Sequence, residues 1–119
     1  MADLQKYEET FLRQTRDIAG KLQEVLKILI SDLKNEVALR EGERLAHVLK
    51  GSAALMRCEN LSKLAEKIEE FFRKSLENTL EINQDILKEI ENFCLVLLRT
   101  SNFEELQSVN FKIKDLNTI

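Results

Sequence analysis

Apolar residues recur along this chain at the three- and four-residue spacing of amphipathic helices, in five stretches. The first is expected from about Asp3 to Ile30: Leu4, Phe11, Ile18 and Val25 step by sevens, and Leu22, Leu26 and Leu29 fill in beside them. Ser31-Asp32 is the expected break, although neither proline nor glycine enforces it. A second helix is expected from about Lys34 to Met56, with Leu45, Val48, Leu49, Ser52 and Met56 on one side. A third, from about Asn60 to Leu76, turns Leu61, Leu64, Ala65, Ile68 and Phe72 to one side, and Glu77-Asn78-Thr79 reads as the next turn. The fourth, from about Asn83 to Arg99, presents Ile86, Ile90, Phe93 and Leu97, with Asn83 as its N-cap. Thr100-Ser101-Asn102 breaks the pattern, and a short fifth helix follows with Phe103, Leu106 and Ile113 inward. The expected architecture is all-α: an antiparallel four-helix bundle with an additional C-terminal helix, forming a single domain over residues 1–119.

Composition agrees with that picture. There is no proline, glycine occurs three times, and 119 residues suffice to bury a core without metal or disulfide. A formal charge of −3 gives no electrostatic reason to expect nucleic acid as a partner. The run Phe93–Leu98 is too short to cross a bilayer, and Met1-Ala2-Asp3 lacks the features of a signal peptide. We therefore expect a cytosolic (cytoplasmic) monomer with no membrane partner, in which Cys58 and Cys94 are reduced thiols. Two separated cysteines and one histidine offer no zinc set, and no glycine-rich phosphate loop is present, so neither cofactor nor metal is expected.

The chemistry concentrates on His47, the sole histidine. At 100° per residue its direction lies roughly 150° from the apolar side of the second helix, so it points outward. Lys50, Gly51 and Ala54, at i+3, i+4 and i+7, share its face. Glycine inside a helix costs about 1 kcal/mol relative to alanine, which is understandable if a bare patch beside the imidazole lets something large approach. A neutral imidazole has one nitrogen bearing hydrogen and one nucleophilic lone pair, so an acceptor from a neighbouring helix would decide which nitrogen reacts. On the third helix Glu69 lies roughly 90° from the centre of the apolar stripe, within reach of an adjacent helix. Its bland alternative is a solvated charge paired with Arg73 one turn on.

His47-x-Leu49-Lys50-Gly51-Ser52-Ala53, with Arg44 three residues earlier, resembles the motif of histidine-containing phosphotransfer (HPt) domains. The similarity continues through Met56, Leu61, Leu64, Ala65, Ile68 and Glu69. The resemblance implies a phosphocarrier without a kinase site of its own. His47 would take a phosphoryl group from a histidine kinase or a phosphorylated receiver and pass it to an aspartate of a response-regulator receiver domain, which supplies Mg²⁺. It also implies that Glu69 holds the Nδ1 hydrogen and leaves Nε2 free. Lys50 would offset phosphoryl charge, and Arg73 is a candidate second cation. Arg44, Gly51, Ala54 and Arg73 would border the docking face. Two departures stand out. Arg57 occupies a position where the family usually has glycine, so the connection to the third helix is expected to be longer or more helical than usual. Glu66 stands where chemotaxis-kinase versions often carry a second histidine, which weakens assignment to that subgroup, whereas five helices and a long first helix point toward it; a free-standing phosphocarrier and the phosphoacceptor domain of a histidine kinase are both compatible with the sequence. The competing reading is a structural helical-bundle adaptor without phosphotransfer, to which neither Gly51 nor Lys50 would be useful.

Overall fold

The computed structural model describes residues 2–112. Five helices follow one another: α1 Ala2–Ser31, α2 Glu36–Leu55, α3 Glu59–Leu76, α4 Gln84–Arg99 and α5 Phe103–Gln107. They form an all-α bundle in which α2 packs on α1 and most extensively on α3, α4 packs on α1, and α5 closes against α1 and α3. The first four helices match the expected boundaries to within two residues. Asn35, Asn83 and Asn102 cap α2, α4 and α5, each accepting a backbone N–H three residues on at 2.9 Å.

The seven-residue series of α1 is buried from Phe11 onward, but Leu4 is 58% exposed, contrary to expectation. The reason is length. Thirty residues rise about 45 Å, whereas the sixteen of α4 rise about 24 Å, so the first turns of α1 overhang the bundle. Phe103 is half-buried and meets Phe11 edge-on, and Leu106 is buried. Ile113, expected inward, lies beyond α5 and outside the described residues.

The α2–α3 connection is the short residue run 56–58, with no helical turn inserted. Arg57 itself enters the left-handed region at φ 61°. The Cys58 N–H donates to the Ala53 carbonyl and the Arg57 N–H to the Ala54 carbonyl, the two bonds of a Schellman cap. Asn78, at φ 59°, ends α3 in the same way. Cys58 and Cys94 are both free and buried. Burial, reinforced by the charge of Glu91, pushes the Cys94 thiol up to about 12, and burial also raises that of Cys58. Both behave as small apolar core residues.

Candidate functional site

The site is assembled at the α2–α3 pair, and its geometry begins with small residues. The buried face of α2 consists of Ala38, Leu39, Gly42, Leu45, Ala46, Leu49 and Ala53; Val48, Ser52 and Met56 are only half-buried. Relative to the large apolar residues alone, the centre of burial is rotated by roughly 60° toward the Lys50 flank. Gly42 makes this possible. A Cβ there would lie 2.6 Å from two ring carbons of Phe72, which is fully buried. Glycine at position 42 thus lets α3 approach on that flank, and the small residues Ala46 and Ala53, at helical spacing on the same side of α2, are fully buried. The rotation keeps His47 outward, with a side chain 65% exposed, and turns Lys50 toward α3.

Glu69 on α3 closes the arrangement. Its Oε2 lies 2.7 Å from His47 Nδ1 and its Oε1 2.7 Å from Lys50 Nζ, with only 16% of its side chain exposed. The Nδ1 hydrogen donates to the carboxylate, so Nε2, on the far side of the ring, carries the lone pair. Burial alone would raise the Glu69 carboxyl. The hydrogen bonds from Lys50 and His47 outweigh it and hold the group below the ordinary carboxylate range. Glu69 is therefore an anion at neutral pH, shared between the imidazole and an ammonium. The solvated Glu69–Arg73 pair is not formed: Arg73 reaches Glu70 on its own helix at 3.4 Å and Glu77, the C-cap of that helix, at 4.0 Å.

The remaining expected positions fall as follows. Gly51 is exposed, and a Cβ there would meet nothing within 4 Å, so one turn beyond His47 is bare. Ala54 is exposed beside it. Arg44 is held by Glu41 in a two-point ion pair along α2, with Nε–Oε2 2.9 Å and Nη2–Oε1 2.5 Å. Glu66 is exposed. Sequence reasoning missed two contributors. One is Gly42, whose signal was its helical spacing to Ala46 and Ala53. The other is Ser62, whose hydroxyl donates to the Lys50 carbonyl at 3.1 Å across the helix pair. Ser62 sits two turns before Glu69, so Lys50 is gripped from α3 at its backbone and at its ammonium. Nothing in the local sequence marks that bond.

The arrangement presents one nucleophilic ring nitrogen, outward, on an imidazole whose other nitrogen is fixed by a carboxylate. The chain is 34% identical over 84 residues, 71% of its own length, to the chemotaxis protein CheA of Halobacterium salinarum, Glu66 notwithstanding. It spans 13% of that relative's length. No solved structure matches. Among the described residues, no helix is long and apolar enough to cross a membrane. The Hpt domain family model matches residues 7–107, most of the chain, and the protein therefore belongs to the Hpt domain family, the phosphotransfer domains of two-component signalling.

Proposed function

We propose that the chain is a phosphocarrier: His47 accepts a phosphoryl group from a histidine kinase or a phosphorylated receiver and delivers it to an aspartate of a response-regulator receiver domain. The observation that carries this reading is the sharing of Glu69 between His47 Nδ1 and Lys50 Nζ, which leaves Nε2 outward beside the bare turn at Gly51.

In the accepting step the Nε2 lone pair attacks phosphorus, and the bond from phosphorus to the donor oxygen breaks. The ring becomes an imidazolium with its Nδ1 hydrogen in place. Glu69, already accepting that hydrogen, faces the new positive charge and stabilises it; no proton has to leave. In the onward step a carboxylate oxygen of the receiver attacks phosphorus, the P–N bond breaks, and the electron pair returns to Nε2. Lys50 has three donors and needs one for Glu69, so its ammonium can also meet the phosphoryl oxygens. The chain supplies a positioned nucleophile and a docking face, while the receiver brings Mg²⁺ and its acidic pocket. Gly51 and Ala54 form the centre of that face, and Arg44 and Arg73, each tied to carboxylates of its own helix, stand at its margins. The domain works as a cytosolic monomer.

Incubation with phosphoramidate, a small phosphodonor, should add one acid-labile, base-stable phosphoryl group. His47→Gln should abolish it and leave the helical circular-dichroism spectrum intact, because the side chain lies outside the core. Labelling that survives in His47→Gln would remove His47 from its role. A wild-type chain that binds a receiver and takes no label would be the helical-bundle adaptor instead.

A further inference from the structure

The exposed side of α2 changes character at His47. Toward its N-terminus it carries Glu36, Arg40, Glu43 and Arg44. From Leu45 through Met56 the sole charged residue is Lys50, and its ammonium is bound to Glu69. In a chain that is 33% charged, this leaves a stretch of solvent-facing helix with no free charge. At its end stands Leu55, 82% exposed. A single exposed leucine is ordinary; its surroundings are not. Helical side chains lean toward the helix N-terminus, so Leu55 leans toward the turn of Gly51, where the space a Cβ would fill is empty. His47 and Leu55 are eight residues apart and bracket a notch about 12 Å long with Gly51 as its floor.

We infer that Leu55 is an apolar anchor for the receiver domain and helps determine which receivers exchange phosphoryl groups with His47, an inference that rests on the phosphocarrier reading. One flank of the imidazole is closed by Glu69 and Lys50 on the α3 side. A protein that brings phosphorus or an aspartate to Nε2 therefore comes from the side of Gly51 and lies across the notch. The surface that fits carries its aspartate about one nanometre from an exposed apolar side chain, which buries Leu55 while the reacting groups meet. Receivers with a charged side chain at that point would have to desolvate it against a leucine and are disfavoured.

The test separates the chemistry from the docking. Phosphoramidate labels the wild-type chain, Leu55→Gln and Leu55→Met, and each labelled protein is offered to a panel of purified receiver domains. Labelling by the small donor should be equal in all three. For the receivers that wild type serves fastest, transfer from Leu55→Gln should fall about tenfold or more, in KM rather than kcat, as loss of a buried leucine contact implies. Leu55→Met should stay within about twofold of wild type, because it restores apolar contact. Normal labelling with unchanged transfer from Leu55→Gln would overturn the anchor and leave the phosphocarrier reading standing. Absence of label at His47, or of transfer to any receiver from wild type, would overturn both. Thermal unfolding of Leu55→Gln should match wild type, since the side chain supports nothing in the core.

Discussion

At the residue scale the decisive group is Glu69, because one carboxylate fixes two neighbours. Its oxygens divide between Nδ1 of His47 and Nζ of Lys50, so replacing it affects both the tautomer of the ring and the direction of the ammonium. Glu69→Ala should slow phosphorylation of His47 by roughly tenfold or more, the scale of losing a charge-assisted hydrogen bond in the accepting step, and shift part of the imidazole to the other tautomer. Nitrogen NMR of the sole histidine reads that tautomer without overlap. Glu69→Gln should keep most of the tautomer preference, since an amide oxygen still accepts from Nδ1, but should lose part of the rate for want of the charge. The pH dependence has a definite sign. The Glu69 carboxyl in the folded chain lies below its ordinary value of 4.5, so its stabilisation is complete above that pH and is lost as pH falls through the lower, folded value. The stability difference between wild type and Glu69→Gln should therefore shrink as pH falls below about 4.5. A difference that did not shrink there would mean that the Glu69 carboxylate is not what holds the pair.

At the scale of the element, two glycines in α2 have opposite meanings. Gly42 is buried against Phe72, and a methyl group there would stand 2.6 Å from the ring. Gly42→Ala should destabilise the fold by up to about 2 kcal/mol: overpacking costs about 1–3 kcal/mol, against about 1 kcal/mol of regained helix propensity. It should also loosen the Glu69 contacts. Gly51 faces open space, so Gly51→Gln should raise stability by roughly 0.5–1 kcal/mol while obstructing receiver docking. Thermal denaturation and transfer rates should thus move in opposite directions for Gly51→Gln and together for Gly42→Ala. If transfer is unaffected by Gly51→Gln, the bare turn serves no partner. Arg57 completes the element. It holds a left-handed conformation that disfavours a Cβ by about 1–2 kcal/mol, partly recovered through the lower chain entropy of a non-glycine residue. Arg57→Gly should therefore stabilise by up to about 1 kcal/mol. A measured loss of stability would show that the arginine side chain contributes contacts that outweigh its backbone conformation.

At the scale of the whole molecule, the α2–α3 pair carries the candidate site and the other helices hold that pair in place. Phe71, Phe72 and Phe93 are fully buried in the core beneath it. Gln23 on α1 donates to Glu91 on α4 at 3.1 Å, and Arg16 on α1 donates to the Thr100 carbonyl at the end of α4. These cross-links tie α4 and its C-cap to α1, and α1 in turn packs on α2. The helical layout was legible in the sequence because each helix repeats its apolar positions over several turns, and because Asn83 offers a cap in the expected place. His47, Lys50, Gly51 and Glu69 were legible as well, through helical direction and family resemblance together. Other features were not. The exposure of Leu4 depends on how far the neighbouring helices extend, which periodicity within α1 does not report. The face of α2 was read from its large apolar residues, and the true centre of burial was displaced by glycine and alanine, which contribute little hydrophobicity but permit close approach. The α2–α3 turn was expected to lengthen for lack of glycine, yet Arg57 accepts the strained conformation because two backbone hydrogen bonds and the buried Cys58 secure it.

The sequence by itself determined the five helical segments and the outward direction of the histidine with Lys50 and Gly51 on its face, since these follow from spacing along each helix. Only the tertiary structure decided that Glu69 reaches both His47 and Lys50, that Arg73 turns to Glu70 and Glu77 instead, and that Ser62 joins the grip on Lys50. Those outcomes depend on the rotation and register of two helices packed on each other. That relation is set by the Gly42–Phe72 approach, a contact between residues thirty positions apart that no local pattern encodes.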